Sequence, residues 1–522
     1  MGISRRTFLE RVGGAGGYSA VYLTMQALGL LAPVRAYAGP PALPAASGKG
    51  VRVAVLGGGV AGLVSALELR KAGYEVTVLE ALDRPGGRNW SIRSGTTIAQ
   101  LGRPDQQVDW ERGENVYMNA GPGRIPQAHH AILGYCRDLG VPLEVMVNAN
   151  RGAKLDFGGK VITNGQAVND TRGAFSELLA KAVDSRALDR ELTGVDKERL
   201  LAYLSAYGSL DAKRVYGGSD RANIATPPGA YLQAPVNGSP LRMTDMMQAR
   251  FWGVSLLFEE LSDMQATMLQ PVGGMDRIAY ALYDAVKPSV ILGAEIRQIR
   301  RKGKGARIVY AQGGAERSLD ADYVICSLPL TVLAKIPSDF SPKVKAAVVA
   351  GAATYYPGTK VGFESRRFWE QDDFQFGGLG WTDELNEVVW YPSGGIGEKS
   401  GVLTAAYSIG FADPASPPKF AGLSFEERFE ICRRVVEKFH PGRGKELAKP
   451  FTVAWSQTPH ALGAAVAWQP NQRASDYGLL CQADGPFHFA GEHMSYINAW
   501  QEGAALSAHE AVKQIAVRQA QA

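Results

Sequence analysis

Cysteine is scarce in this sequence, and the few cysteines do not form a metal-binding pattern. The 522 residues include four of them, namely Cys136, Cys326, Cys432 and Cys481. They lie far apart, without a Cys-x-x-Cys pair or any other spacing of metal ligands. We therefore predict buried free thiols and no metal, and the sequence leaves one disulfide open as the alternative.

Charge of one sign and long apolar runs are also lacking. The net charge is +5, from 56 basic and 51 acidic residues, and no long basic run occurs. Nucleic-acid binding is therefore not expected. Outside the N-terminal region, no segment is apolar over the ~20 residues that a membrane-spanning helix needs. Glycine is abundant, at 61 residues, which favours tight turns beside a ligand. The chain is long enough for about two or three domains.

The N-terminal region is typical of an export signal. Ser4-Arg5-Arg6-Thr7-Phe8-Leu9 is a twin-arginine signature, and Ala36-Tyr37-Ala38 is a small-x-small cleavage site after a weakly apolar stretch. A membrane anchor is less favoured because several glycines and Pro33 interrupt the stretch. We predict a twin-arginine signal peptide at 1–38, a flexible linker at 39–50, and a periplasmic or secreted protein that has used the twin-arginine export machinery.

A dinucleotide-binding unit follows the linker. The apolar run Val51–Leu56 predicts a buried strand that leads into Gly57-Gly58-Gly59-Val60-Ala61-Gly62. Gly57 permits the turn, Gly59 lets a pyrophosphate approach the backbone, and Gly62 lets helix and strand pack closely. The next helix offers free N–H groups to the phosphates, and Glu80, after the strand 75–79, would bind the adenosine ribose. Because strand, loop, helix, strand and acid occur in order, the sequence predicts a Rossmann-like α/β domain.

Four further stretches resemble the flavoprotein amine oxidase superfamily, in the expected order between Val51 and about Val517. They are Asp83-Arg84-Pro85-Gly86-Gly87-Arg88, the stretch 321–329, Phe487-His488-Phe489-Ala490-Gly491-Glu492 and the stretch 498–504 before a helix-like tail at 505–517. The resemblance implies a Rossmann-like FAD domain, a mixed-sheet substrate domain and a helical insert. It also implies non-covalent FAD, since no cysteine stands where covalent members tether the flavin.

The resemblance assigns domain boundaries and a set of cofactor residues. The FAD-binding domain is expected at 51–120, 252–341 and 461–522, the substrate domain at 121–168 and 342–460, and the helical insert at 169–251. The residues expected around FAD are Gly57, Gly59, Val60, Ala61, Gly62, Glu80, Ala81, Gly87, Arg88, Gly121, Pro122, Gly123, Arg124, Ile296, Gly491, Glu492, Ala499, Trp500, Gly503 and Ala504.

The segment Gly121-Pro122-Gly123-Arg124-Ile125-Pro126 resembles the carboxylate-binding segment of L-amino-acid oxidases. Arg124 suits that task because a guanidinium makes two parallel charged hydrogen bonds to a carboxylate. By the same resemblance, Tyr391 donates to the same carboxylate, and Trp500 walls the substrate beside the carbonyl of Ala499. Lys360 matches a lysine that holds a water near flavin N5 and helps reduced flavin to react with oxygen. For each side chain the alternative is structural: a surface arginine, a core aromatic or an exposed strand lysine.

The predicted activity is that of an FAD-dependent L-amino-acid oxidase, which uses molecular oxygen and gives a 2-oxo acid, ammonia and hydrogen peroxide. The alternatives are an amine or polyamine oxidase, a quinone-linked amino-acid dehydrogenase and a flavin-binding protein without turnover. His460 and His493 lie near the C-terminal motifs, and a structural role is favoured for both. The sequence leaves the preferred side chain and the oligomeric state, a homodimer included, open.

Overall fold

A five-stranded parallel sheet carries the glycine-rich loop. The computed structural model describes residues 37, 39–248, 256–411 and 413–521. In spatial order the strands of this sheet are Val290–Ile291, Glu75–Leu79, Arg52–Leu56, Tyr323–Cys326 and Phe487–Phe489. Nearly continuous apolar runs suit such a sheet because both of its faces are buried. The Rossmann-like prediction is confirmed, and the carboxyl ends of these strands meet at one edge, where ligands bind in sheets of this kind.

A larger mixed sheet forms the second layer of the molecule. Its strands, in spatial order, are Lys160–Thr163, Lys154–Phe157, Gly378–Thr382, Val388–Tyr391, Ser400–Ser408, Thr359–Arg366 and Ala448–Ala454. One pair is parallel and the others are antiparallel. This is the predicted mixed sheet, and two of its strands carry Lys360 and Tyr391.

The remaining described strands form small sheets. The three-stranded ones are Ile125–Pro126 with Met268–Pro271 and Leu143–Met146, and Glu295–Lys302 with Gly305–Gln312 and Ala315–Ala321. The two-stranded ones are Ser91–Ile92 with Met118–Asn119, Thr97–Ile98 with Gln106–Gln107, Ile224–Thr226 with Val236–Asn237, and Tyr355–Tyr356 with Ala465–Val466.

The helices pack around the two large sheets. Their bounds in the described residues are Val60–Lys71, His130–Asp138, Asn164–Asp184, Gly194–Gly208, Met243–Gln248, Asp276–Val286, Leu330–Leu333, Pro342–Ala352, Phe368–Gln371, Ser416–Gly422, Phe425–Phe439, Pro470–Gln472, Gly478–Leu480 and Gln501–Gln521. The helix Phe425–Phe439 begins with a capping box, in which the side chains of Ser424 and Glu427 each accept from the other residue's backbone N–H.

The C-terminal helix begins at Gln501, ahead of the predicted start at Ala505. Polar residues made the first turn resemble a loop, but the turn is buried and its polar side chains are paired. Asn89 donates to Gln501 at 2.7 Å, and Glu502 accepts from the backbone N–H groups of Ala131 and Ile132 at 2.9 Å. Tertiary partners therefore make this turn helical.

The predicted flexible linker at 39–50 is wrong for its second half. Gly48 is buried, and its N–H donates to the carbonyl of Ala72 at 3.0 Å. A Cβ on Gly48 would lie 2.1 Å from the ring of Tyr74, so the glycine lets the chain pack flat against that ring. The segment therefore belongs to the compact unit Leu43–Ala522.

The four cysteines are free thiols in the structure. Cys136, Cys326 and Cys432 are buried, as predicted, whereas Cys481 is exposed. The predicted export signature and most of the signal peptide lie outside the described residues. Within the described part of the chain, no helix has the length and apolarity to cross a membrane.

Candidate active site

A cavity of about 1140 Å³ opens at the carboxyl edge of the parallel sheet. Its volume exceeds the roughly 300–1,000 Å³ of ordinary ligand pockets, as a site for a dinucleotide and a substrate requires. We call it the main cavity. Most of the predicted site residues line it together: Gly57, Gly59, Val60, Ala61, Glu80, Ala81, Gly87, Arg88, Gly121, Pro122, Ile296, Lys360, Gly491, Glu492, Ala499, Trp500 and Ala504.

Two predicted cofactor residues lie behind the cavity wall. A Cβ on Gly62 would lie 2.0 Å from the carbonyl oxygen of Gly57, and one on Gly503 would lie 2.2 Å from the Ser495 hydroxyl. Both glycines therefore permit close packing instead of lining the cavity. For Gly62 this is the helix–strand packing that the motif predicts.

The glycine-rich loop fits a bound phosphate. Gly57 has φ of +103°, a region that favours glycine. The helix Val60–Lys71 has no side-chain cap and no acidic residue in its first turn. Its free N–H groups and the positive end of its dipole therefore remain available to an anion in the main cavity. A Cβ on Gly59 would meet only the carbonyl of Gly86, at 3.9 Å, which leaves the approach to the backbone open.

Glu80 is fixed at the end of its strand. Its carboxylate accepts from the N–H of Gly58 at 2.6 Å and of Leu82 at 2.9 Å. Burial raises the pKa of Glu80, and these two N–H groups oppose the shift. Each oxygen keeps a lone pair that can accept a further hydrogen bond, so the carboxylate suits the hydroxyl groups of a ribose.

A buried ion pair joins the second motif to the last one. Arg88 donates to Glu492 at 2.9 Å and to the carbonyl of Ala464 at 2.7 Å. The other oxygen of Glu492 accepts from the N–H of Ala499 at 3.0 Å, and Ala499 has φ of +66°. The pair therefore fixes the segment that carries Ala499 and Trp500 at the cavity wall.

Arg124 is buried beside the main cavity, and neither Arg124 nor Gly123 is part of its wall. The guanidinium donates to Asn148 at 2.7 Å. It lies 5.1 Å from the ring of Phe258, 4.8 Å from that of Trp390 and 5.8 Å from that of Trp500. Burial lowers the pKa of Arg124. Among the described residues no carboxylate forms an ion pair with it.

Lys360 is buried and lines the main cavity, so the alternative of an exposed strand lysine is wrong. Its ammonium donates to the carbonyls of Asn119 at 2.7 Å and Gly121 at 2.6 Å and lies 4.7 Å from the ring of Tyr407. Burial lowers the pKa of Lys360 to about 7, and the charge of Arg124 adds to the shift. The site thus holds two buried cations, neither of which has a carboxylate partner among the described residues.

The prediction for Tyr391 is wrong. Side chains alternate between the two faces of a strand, and in Val388–Tyr391 it is Trp390 that faces Arg124 and Lys360, at 4.8 and 5.2 Å. Tyr391 faces the opposite side, where it is fully buried and its hydroxyl lies 2.7 Å from Nε2 of His440. A shift of one residue in the assumed register selected the wrong aromatic.

Five aromatic residues of the main cavity were missed: Trp90, Tyr280, Tyr356, Tyr407 and Trp455. Tyr407 lies directly opposite Lys360 on the adjacent strand. No motif marks it, because the pairing appears only when the strand register is known. Trp500 meets an unpredicted partner, since its indole N–H donates to Asp263 at 3.1 Å.

The two histidines differ in position. His460 lines the main cavity, where only a structural role was expected, whereas His493 is buried outside it. Neither ring nitrogen of His493 has a hydrogen-bond partner among the described residues, and burial lowers its pKa to about 3. His493 is therefore neutral and packed, as predicted.

Known proteins resemble this chain in sequence over most of its length. The family model for flavin containing amine oxidoreductase matches residues 60–516. An L-amino-acid oxidase of Siganus canaliculatus is 28% identical over 89% of this chain and 85% of its own length. A flavin-dependent L-tryptophan oxidase of Lentzea aerocolonigenes is 27% identical over 89% and 98%.

Solved structures agree with the fold. A putrescine oxidase bound to putrescine has a TM-score of 0.60 at 18% identity, over 90% of this chain and 100% of its own. A cyclohexylamine oxidase from Brevibacterium oxydans has a TM-score of 0.60 at 16% identity, over 90% and 99%.

Proposed function

Because the chain belongs to the flavin containing amine oxidoreductase family, we propose that it is an FAD-dependent L-amino-acid oxidase. It would convert an L-amino acid and oxygen into a 2-oxo acid, ammonia and hydrogen peroxide. FAD, bound without a covalent link, supplies the hydride acceptor. The observation that carries the proposal is the pair of buried cations, Arg124 and Lys360, beside the main cavity.

The main cavity supplies the groups that FAD needs. The glycine-rich loop and the uncapped helix Val60–Lys71 would hold the pyrophosphate. Glu80 would bind the ribose hydroxyl groups, and the ion pair of Arg88 with Glu492 would hold the segment around Ala499 in place. These residues bind and orient the cofactor.

Arg124 would bind the substrate carboxylate. A buried guanidinium without an ionic partner is costly, and an anion that forms two parallel hydrogen bonds compensates the cost. The guanidinium of Arg124 uses one N–H to donate to Asn148, which fixes the arginine side chain. Its other N–H groups remain available to the substrate carboxylate. Arg124 is not on the cavity wall, but Trp500 is, and its ring lies 5.8 Å from the guanidinium, so the substrate carboxylate would reach Arg124 beside that ring.

The same charges favour the reactive form of the substrate. Hydride transfer requires a neutral α-amine, and an ammonium group buried beside two cations loses its proton more easily than in water. Lys360 experiences this effect itself, since burial and the charge of Arg124 lower its pKa to about 7. The site therefore attracts the carboxylate and disfavours the protonated amine.

An amine oxidase is the second candidate. The solved structures of similar fold are a putrescine oxidase and a cyclohexylamine oxidase, whose named substrates have no carboxylate. Such a substrate would leave Arg124 without an anion, which is why we favour the amino acid.

A dehydrogenase that transfers electrons to a quinone is a further alternative. Anaerobic turnover with a dye as electron acceptor would distinguish it from an oxidase.

The test compares an amino acid with the amine that its decarboxylation gives. Arg124→Met should lower kcat/KM for the amino acid by roughly 10²–10⁴-fold, because two hydrogen bonds to a charged group are lost, and leave the amine reaction unchanged or faster. Arg124→Lys is the control, and should be intermediate because it keeps the charge but not the planar fork. Unchanged amino-acid turnover in Arg124→Met would refute the carboxylate clamp.

We also propose that the protein is exported through the twin-arginine pathway before it acts. The proposal rests on the Arg5-Arg6 signature and the Ala36-Tyr37-Ala38 cleavage site. This pathway carries folded proteins, which suits an enzyme that must bind FAD before export.

A further inference from the structure

Lys360 contacts a second, smaller cavity. This space of about 40 Å³, which we call the side cavity, is lined by Lys360, by parts of the strands Met268–Pro271 and Ser400–Ser408, and by the chain around Tyr117. The two carbonyls that accept from the Lys360 ammonium lie on different cavities. Gly121 lines the main cavity, and Asn119 lines the side cavity. The ammonium therefore lies between the two spaces.

The wall of the side cavity is polar. It includes the hydroxyl-bearing residues Tyr117 and Thr404 and the amide of Gln270. Among the described residues neither hydroxyl has a hydrogen-bond partner, and Gln270 uses one N–H to donate to Glu144 at 2.8 Å. Polar groups in a partly buried space without protein partners are the usual setting of an ordered water.

The dimensions fit a water molecule. A cavity needs roughly 10–15 Å³ of probe volume to hold one water with two to four polar partners, and the side cavity offers about 40 Å³. An ammonium has three donors, and the protein accepts from two of those of Lys360. Its third donor is thus available for a water.

The outer end of the side cavity lies near the surface. Asn115 and Tyr117 are only half-buried, whereas Lys360 at the inner end is buried. Asn115 itself donates to Glu398 at an exposed position, at 2.7 Å. The side cavity therefore extends from the buried Lys360 to residues that solvent reaches.

We propose that the side cavity is a water site that connects Lys360 to solvent from the side opposite the main cavity. It lets the lysine gain or lose a proton while the main cavity is filled by cofactor and substrate. In the described part of the chain, the charged and titratable groups near the ammonium are Arg124 and Tyr407, and those at the side cavity are Tyr117 and Glu144, which accepts from Gln270. Of these only Tyr117 lies on the proposed route.

A crystal structure of the holoenzyme tests the water directly. Ordered water is expected in hydrogen-bond contact with Lys360 in the side cavity of the wild type. Thr404→Ile adds carbon atoms to the wall and should displace it, while Thr404→Val removes the hydroxyl but keeps the space and should retain it. Val402→Ile, at another wall residue, gives a second filled variant if Thr404→Ile fails to fold.

A chemical probe tests the access. Isocyanic acid is small and neutral, and its carbon bonds to the lysine nitrogen while a proton moves to its own nitrogen, so a urea forms without a leaving group. In the FAD-loaded enzyme, peptide mass spectrometry should show carbamylation of Lys360. The rate of carbamylation should fall about tenfold or more in the filled variants, the factor expected when one hydrogen bond to the charged side chain is lost. Thr404→Val should react like the wild type.

Two outcomes would overturn the proposal: an empty side cavity in the wild type, or carbamylation that is equally fast in folded Thr404→Ile and Val402→Ile. Neither measurement involves turnover. The proposal can therefore fail while the assignment as an L-amino-acid oxidase stands, and the reverse also holds.

Discussion

At the residue scale, the site is governed by buried positive charge. Arg124 and Lys360 both have lowered pKa values because burial disfavours their charged forms. Trp390 lies between them, with its ring 4.8 Å from one cation and 5.2 Å from the other. The negative face of an aromatic ring attracts a cation, so the indole partly replaces the missing carboxylate.

The charge of Lys360 should control the reaction of the reduced enzyme with oxygen. Since its pKa is about 7, the side chain is a cation below that pH and neutral above it. A cation stabilises the negative charge that forms as oxygen is reduced, so the reoxidation rate should fall as pH rises through about 7. Lys360→Met should lower the rate at low pH by roughly 10²-fold and remove the pH dependence.

Anaerobic reduction followed by stopped-flow mixing with oxygen measures this rate. Lys360→Arg is the control, because arginine keeps its charge at every accessible pH and should give a flat profile. A transition near pH 7 that persists in Lys360→Met would assign the titration to another group.

The different positions of Tyr391 and Tyr407 give a second prediction. Tyr407 lines the main cavity, so Tyr407→Phe should raise KM about two- to tenfold, the factor that one lost hydrogen bond gives. Tyr391→Phe should leave kcat/KM unchanged but reduce the free energy of unfolding by about 1–3 kcal/mol, because Nε2 of buried His440 loses its partner while Nδ1 keeps Asp373. Steady-state kinetics and thermal unfolding of both variants distinguish the two tyrosines. Equal kinetic effects of the two substitutions would contradict the placement of Tyr407, and not Tyr391, at the main cavity.

At the element scale, the turn from the first strand into the helix Val60–Lys71 has the geometry that a bound phosphate needs. Gly57 supplies a positive φ, Gly62 allows helix–strand contact, and Gly59 leaves the backbone accessible. The C-terminal helix supports the same site from the other end of the chain, since Gln501 binds Asn89 next to Arg88. The start of the C-terminal helix and the segment around Arg88 therefore stabilise each other, although they lie far apart in sequence.

The glycines of this loop should respond differently to alanine. Gly62→Ala places a Cβ 2.0 Å from the Gly57 carbonyl, and this overpacking should cost about 1–3 kcal/mol or more in the apoprotein. Gly59 has φ of −72°, which any residue adopts, and open space around it. Gly59→Ala should therefore leave apoprotein stability nearly unchanged but weaken FAD binding.

Thermal unfolding of the apoprotein and fluorescence titration with FAD separate the two effects. Gly134→Ala offers a control outside the loop and the main cavity, since its φ is not positive and nothing lies within 4 Å of the added atom. If Gly59→Ala binds FAD as tightly as the wild type, the cofactor does not approach this residue.

At the scale of the whole molecule, the two large sheets supply different parts of the candidate site. The parallel sheet ends in the loop and acid that line the main cavity, whereas the mixed sheet supplies Lys360, Trp390 and Tyr407. The ion pair of Arg88 with Glu492 joins residues 404 positions apart. The site is therefore complete only when both sheets have formed and Arg88 has paired with Glu492.

Export is a property of the whole molecule as well. Replacement of Arg5 and Arg6 by lysine should abolish export, because the pathway recognises the paired arginines. The folded, yellow protein should then accumulate inside the cell. Cell fractionation with an activity assay checks this, and a variant with lysine at Arg35 alone is the control, which should still be exported. Export of the double variant would point to another route.

The sequence by itself determined the cofactor half of the protein. Strand, glycine spacing, helix and acid are local features, and local geometry follows from residue type and from spacing along the chain. Gly57, Gly59, Gly62 and Glu80 accordingly lie where their motif predicts. The role of Lys360, in contrast, was predicted by resemblance alone, since its strand Thr359–Arg366 is buried on both faces and shows no alternation.

Only the tertiary structure decided the substrate half. Which of Trp390 and Tyr391 faces Arg124, and that Tyr407 lies opposite Lys360, depend on the register between strands. A shift of one residue reverses every side chain of a strand, and no local pattern in Val388–Tyr391 distinguishes the two registers. The same holds for Asp263 beside Trp500 and for the side cavity behind Lys360, because long-range packing creates them and leaves no periodic trace in the chain.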